Sequence, residues 1–362
     1  MLPSHPLAWA AFLAFILGML ALDLFVLHRK PHQISLREAL LGALIPVVVA
    51  LAFLGIIYYA YDHHLFDLGL FPPGDPRHDS PLWADNGPEA ALLYLTGYLV
   101  EISLSADNVF LFVLLINFFA VPAALQHRVL FWGVLGALIM RAAMIAGVSF
   151  LARFDLVIYL FGAFLIFTGI KMLFSSHEET DPSASLMVRL ARRLLPLHPA
   201  YDGRKFFTRI TDPAGRTRTL ATTLFLVLLA VEFTDVVFAV DSIPAVFGIT
   251  KDPFLVFTSN VFAILGLRSL YFLLAGIMDK FHLLKYGLAV VLAFVGVKML
   301  LPGLANLYAR FASLPASPHW DVPKLLSLAV ITATLAVAIL ASLLIPPRRS
   351  TQSRAATVRE RP

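Results

Sequence analysis

The chain has 362 residues, 59% of them hydrophobic and only 14% charged, with a mean hydropathy of +0.82. Soluble domains are about 45–50% apolar and about 25% charged, so the composition excludes an ordinary water-soluble core and reads as an all-α polytopic membrane protein. The formal charge of +5 resides in loops and at the C-terminal end, a pattern of membrane topology and not of nucleic-acid binding, and the lack of cysteine excludes disulfides, thiolate metal sites and thiol redox chemistry.

A membrane-spanning helix needs about 20 mainly apolar residues. About nine segments meet this: Leu7–His28, Ala39–Tyr61, Ala90–Phe119, Val129–Leu151, Asp155–Phe174, Leu220–Gly248, Phe254–Met278, Leu283–Leu301 and Lys324–Ile345. The first lacks a preceding basic region and ends on Asp23 and His28-Arg29-Lys30, so it reads as a retained span and not as a signal peptide. Asp23 itself reads as interfacial. After the second comes an acidic, proline-rich loop, Asp62–Pro88. Its His63-His64 pair is read as interfacial, because adjacent side chains point in different directions. The third and sixth segments exceed a perpendicular span and are expected to tilt or break. The long linker, Ser175–Thr219, is basic; Leu186–Leu195 within it is either an amphipathic surface helix or solvated loop. The chain thus divides into an N-terminal helix pair with its acidic loop (1–89), a three-helix unit (90–174), a basic loop (175–219), a second three-helix unit (220–301) and a last helix with a basic tail (302–362).

Loop charge sets orientation. Arg29, Lys30 and Arg37 follow the first segment; Arg189, Arg192, Arg193, Arg204, Lys205, Arg209, Arg216 and Arg218 lie in the linker; Arg348, Arg349, Arg354, Arg359 and Arg361 lie in the tail. With nine spans all three groups fall on one side, which is then cytoplasmic. The acidic loop and the N-terminus fall outside, and the C-terminus inside.

An internal repeat is visible when Arg141–Leu173 is laid on Arg268–Leu300 without a gap. Arg141/Arg268, Phe154/Phe281, Leu156/Leu283, Tyr159/Tyr286, Phe167/Phe294, Gly169/Gly296 and Lys171/Lys298 all match. The two lysines end their segments and read as snorkelling anchors. Extended backward, Glu101 meets Glu232 after a small gap. Each unit holds three helices, an odd number, so the second enters from the opposite face. Inverted repeats of this kind place a site near the midplane in secondary transporters.

Two stretches carry acids inside apolar spans: Glu101-Ile-Ser-Leu-Ser105-Ala-Asp107-Asn108, and Glu232-Phe-Thr234-Asp235 running on to Asp241-Ser242-Ile-Pro244. Such residues cost a few kcal/mol, roughly, at a lipid-facing helix centre, and they normally face a cavity or an ion. Glu101, Ser105 and Asn108 are spaced to share a helix face, as are Glu232 and Asp235. Pro244 lacks an N–H, so it leaves the Val240 carbonyl without its helical donor beside Asp241. Carboxylates of Glu101, Asp107, Glu232, Asp235 and Asp241, amides of Asn108 and Asn260, and hydroxyls of Ser105, Thr234 and Ser242 form a hard oxygen set. It suits Mn²⁺, Mg²⁺ or Ca²⁺ better than Zn²⁺ or Cu⁺. Arg141 and Arg268 are either surrogate cations for that site or structural ion-pair partners.

These motifs resemble those of the TerC family of membrane proteins, and the nine-segment layout resembles its Alx-like branch. The resemblance covers roughly Leu7–Leu301 and includes Phe257-Thr-Ser-Asn260-Val-Phe-Ala-Ile-Leu-Gly266-Leu-Arg268. It implies a bacterial inner-membrane protein of metal homeostasis, in a family linked to manganese efflux, alkaline-pH response and tellurium resistance, with some members labelled redox modulators. The leading expectation is a non-enzymatic secondary transporter without a covalent cofactor. It would export Mn²⁺ or a similar divalent cation, with protons as the exchanging ion and the lipid bilayer as its surroundings. A membrane-bound redox modulator and a non-transporting stress-response partner are the alternatives.

Overall fold

The computed structural model describes residues 6–22, 36–151 apart from 73, 76 and 79, then 154–174, 196–211 apart from 199, 217–274, 283–312, 320 and 322–345. Within these, the side chains of 22, 36–40, 106–108, 110, 111, 114, 155, 268, 269, 272–274 and 310 lie outside the description. The described residues form nine α-helices, one short 3₁₀ turn and one β-hairpin: α1 (Pro6–Leu22), α2 (Leu36–Asp62), the 3₁₀ turn (Leu65–Asp67), α3 (Gly87–Phe118), α4 (Ala123–Leu151), α5 (Asp155–Phe174), β1 (Phe207–Thr211), β2 (Thr217–Ala221), α6 (Thr223–Phe247), α7 (Pro253–Leu274), α8 (Leu284–Phe311) and α9 (Lys324–Leu344).

Among the described residues six helices are long and apolar enough to cross a membrane: α2, α4, α5, α6, α8 and α9. Shorter apolar stretches occur in α1 and α7. The 32-residue α3 carries Glu89, Glu101 and Asp107 and is not one of the six. At 1.5 Å per residue it is about 48 Å long, against about 30 Å for a hydrocarbon core. Its start is written in the sequence. Asn86 caps it by accepting a bond from the Glu89 N–H, Pro88 fills a first-turn position, and Glu89 complements the helix dipole.

Large apolar side chains point outward along these helices, among them Leu156, Leu160, Phe167 and Phe174 on α5 and Leu325, Val337, Leu340 and Leu344 on α9. In water so much contiguous apolar surface would drive association; in lipid it is the contact surface. The polar residues go the other way. Glu101, Ser105, Arg141, Asp235 and Asn260 are all buried.

The two ends of the bundle are set by side-chain ties. At the loop end, Leu82 accepts bonds from the Lys251 N–H and the Thr250 hydroxyl. There Tyr61 donates to Asp252 at 2.7 Å, while Asp252 also caps α7 through the Phe254 N–H. Lys324, which opens α9, pairs with Glu89 at 2.6 Å and donates to the Trp83 carbonyl. At the hairpin end, Tyr201 donates to the carbonyl of Phe119, the residue after α3, and Thr222, which precedes α6, donates to Phe206 and Lys205. Hence α3 starts at the loop end, whereas α6 starts at the hairpin end, and the two run in opposite directions.

Packing follows the same arrangement. The most extensive contacts join α5 to α8, α3 to α7, α2 to α7, and α4 to α6, in that order. Between α5 and α8 the backbones nearly touch. A Cβ on Gly296 would lie 2.6 Å from the Gly162 carbonyl, and one on Gly169 would lie 2.7 Å from the Ala289 carbonyl. Small residues permit this approach between membrane helices. An aromatic cluster of Trp9, Phe12, Phe53, Phe254, Phe257 and Phe262 knits α1 and α2 to α7.

Several segments differ from the sequence-based expectation. Phe207–Thr211 pairs antiparallel with Thr217–Ala221, so Leu220 and Ala221 belong to β2 and α6 opens only at Thr223. The run Phe-Thr-Arg-Ile-Thr has β-branched strand character that the charge of the linker obscured. α8 continues to Phe311 through Pro302, ten residues past the expected end. Lys298 is therefore a buried mid-helix residue and not a snorkelling terminus. Leu186–Leu195 and Asp23 lie outside the described residues. His63 stacks on Tyr59 with ring centroids 4.2 Å apart, whereas His64 turns to the Leu68 carbonyl, as divergent neighbours should.

Candidate functional site

Four helices meet at Arg141. It sits in the middle of α4, is 1% exposed, and directs its guanidinium at three other helices. Nη1 donates to Glu101 Oε1 of α3 and, at 2.8 Å, to Asn260 Oδ1 of α7. Nε and Nη2 form a fork onto Asp235 of α6, at 3.3 Å to Oδ2 and 3.1 Å to Oδ1. A guanidinium suits this role because its planar donors match a carboxylate two at a time.

The cluster is not closed by these bonds. Glu101 Oε2, Ser105 Oγ and Asn260 Nδ2 are buried and have no hydrogen-bond partner among the described residues. Ser105 lies one helical turn beyond Glu101, and Tyr98, whose buried hydroxyl is likewise unpaired, lies one turn before it. Unpaired polar atoms at this depth are rare, because each carries an uncompensated desolvation cost of about 1–3 kcal/mol.

Glu232 lies next to Asp235 on α6, close enough for the two charges to act on each other. Its carboxylate rests directly on Gly136 of α4, where any Cβ would collide with it. Glu101 and Asp235 thus share one arginine, and Glu232 stands beside Asp235. Thr234 does not reach the cluster; its hydroxyl bonds back to the Ala230 carbonyl. Asp241, half-buried, faces α5, where Thr168 donates to it at 3.5 Å. Ser242 is buried with an unpaired hydroxyl, and Pro244 is buried within α6, which runs on to Phe247. The structure therefore joins Glu101, Asp235, Asn260 and Arg141, places Glu232 beside them, and turns Asp241 toward α5. Asp107, Asn108 and Arg268 lie on α3 and α7, with side chains outside the described residues. Among the described residues no group of three or more His, Asp or Glu is arranged to hold a metal ion.

Three contributors escaped sequence reasoning. Gly136, the seat of Glu232, and Thr168, the partner of Asp241, lie in helix stretches with no acid nearby in the sequence and gave no signal. Tyr98 was detectable only by its place one turn before Glu101.

A helix bundle that is apolar outside and ionic inside is an integral, multi-pass membrane protein. This chain belongs to the TerC family of integral membrane proteins, whose model matches residues 86–350. It is 45% identical over 342 residues to the "Uncharacterized membrane protein STKORF319" of Myxococcus xanthus, covering 94% of this chain and 93% of the relative. It is 43% identical over 298 residues to proteins of Shigella flexneri and Escherichia coli K12 called "Putative membrane-bound redox modulator Alx", covering 82% of this chain and 86% of each relative. No solved structure matches the chain significantly.

Proposed function

We propose that this protein is a secondary transporter of the bacterial inner membrane that exports Mn²⁺, or a similar divalent cation, in exchange for protons. The observation that carries this reading is the excess of acid in the core among the described residues: Glu101 and Asp235 share the guanidinium of Arg141, Glu232 stands next to Asp235, and Glu101 keeps one oxygen unpaired. Unmatched negative charge inside a membrane is a site for cations. A divalent ion balances it when bound, and protons take its place when the ion leaves. Arg141 would hold the acids together in the empty state and swing aside for the ion.

Topology supports the same reading. α3–α5 and α6–α8 would be two inverted units within nine spans, with the N-terminus outside and the C-terminus in the cytoplasm. The Gly296–Gly162 approach is the image of the Gly169–Ala289 approach under the 141-to-268 alignment, because Gly169 maps to Gly296 and Gly162 to Ala289. The opposed directions of α3 and α6 fit such a pair, as do the matched contacts of α3 with α7 and α4 with α6. Alternating access would rock one unit against the other about the cluster.

The name of the Alx relatives favours a second reading, a membrane-bound redox modulator. With no cysteine in the chain, that role would need a bound cofactor or quinone. The deciding experiment is ion flux into proteoliposomes with Mn²⁺, Mg²⁺, Ca²⁺ and Zn²⁺ compared, alongside the absorbance spectrum of the purified protein. Transport predicts Mn²⁺ flux that Glu101→Gln and Asp241→Asn each abolish in correctly inserted protein. Absent flux together with a visible chromophore supports the redox role; normal flux in both variants removes the site assignment.

A further inference from the structure

At the hairpin end two arginines stand together without an acid. Arg128, in the second turn of α4, lays its guanidinium over the ring of Phe206 at 4.9 Å. Phe206 meets Trp132 edge-on at 6.2 Å and Phe225 at 6.5 Å, so the arginine lies against an aromatic cradle. Arg128 Nε is shielded from solvent and has no hydrogen-bond partner. Arg204 is close enough for the two positive charges to repel. The nearby acid, Asp202, is occupied by Lys205 at 3.2 Å and Thr208 at 2.7 Å. Among the described residues no carboxylate pairs with either arginine.

Arg128 is fixed against the aromatic cradle and Arg204 is exposed beside it, so the two present their donors to an anion. We propose that Arg128 and Arg204 bind the phosphate of an anionic phospholipid in the leaflet that meets the hairpin end. The depth of the site argues for lipid. Arg128 belongs to a helix long and apolar enough to span the membrane, and Phe207 of β1 packs 4.6 Å from Phe225 in the first turn of α6. Trp132 and Phe207 remain 42% and 51% exposed, as aromatic side chains at headgroup level do. Exposed Arg209 and Ile210 extend the same basic and apolar character along the hairpin. A lipid phosphate is carried to this depth by its own chains, whereas free phosphate would have to shed its water to enter.

The test uses the full chain in detergent, with native mass spectrometry during titration of phosphatidylglycerol or phosphatidylcholine. Wild type should prefer phosphatidylglycerol. Arg128→Gln and Arg204→Gln should each weaken that binding about fivefold, the ~1 kcal/mol that one basic side chain contributes at an anionic surface, while Arg77→Gln, at the loop end, leaves it unchanged. Millimolar inorganic phosphate should not displace the lipid. Unaltered preference in both variants overturns the site, and displacement by inorganic phosphate overturns lipid as its occupant. If Arg128→Gln does not insert, Arg204→Gln at an exposed position decides the matter alone.

Discussion

Replacing Arg141 with glutamine removes the charge at the centre of the bundle and leaves Glu101 and Asp235 facing each other's helices without it. Arg141 makes four hydrogen bonds to three helices. At roughly 1.5–3 kcal/mol for each bond to a charged group, the simple sum would be at least about 6 kcal/mol. That overstates the loss, because bonds between membrane helices average only about 0.6 kcal/mol by double-mutant cycles. The larger effect is the pair of stranded carboxylates, for which breaking a buried ion pair costs about 3–5 kcal/mol. Arg141→Gln should therefore lower stability by about 3–5 kcal/mol, a factor of about 10²–10⁴ in the unfolding equilibrium. The triple change Arg141→Gln, Glu101→Gln, Asp235→Asn keeps hydrogen-bonding groups but no charge, and should recover most of that loss. Unfolding in mixed micelles, followed by tryptophan fluorescence, measures both. A single variant within about 1 kcal/mol of wild type, or a triple variant no better than the single, would refute the view that uncompensated charge and not lost packing dominates here.

Further outcomes follow from other contacts. Gly296→Val and Gly169→Val each push a side chain into a facing carbonyl, and each should destabilise by about 1–3 kcal/mol by the same unfolding assay; a large effect at one and none at the other would break their two-fold relation. Tyr61→Phe deletes the 2.7 Å bond to Asp252, and about 1–3 kcal/mol of stability should go with it. At the loop end, the bidentate Arg77 holds the Asp75 carboxyl down from its ordinary 3.8 to about 2. A depressed acid contributes its interaction above its unfolded value and loses it as pH falls through the folded one, so this pair should persist to about pH 2. Carboxyl ¹³C NMR on the intact protein should show Arg77→Gln returning Asp75 toward 3.8, and an unmoved titration would place the cause elsewhere.

What the sequence alone determined is whatever short-range chemistry dictates. Apolar runs of spanning length imply helices, and Asp155–Phe174 was bounded correctly to the residue. For α3 the expected start at Ala90 fell three residues late, because Asn86, Pro88 and Glu89 cap the helix at Gly87. Acids inside apolar runs must turn inward, since lipid cannot solvate them, and Glu101 and Asp235 did so. Periodicity says nothing of which partner awaits a side chain across the bundle. Only the tertiary structure decided that Arg141 neutralises Glu101 and Asp235 together, that Glu232 rests on Gly136, and that Asp241 turns to Thr168 on α5 instead. It likewise decided that Lys298 lies buried, because α8 carries on past Pro302. The physical reason is that desolvation is a property of one residue and its neighbours in the chain, whereas compensation of a charge requires another helix at the right height and rotation.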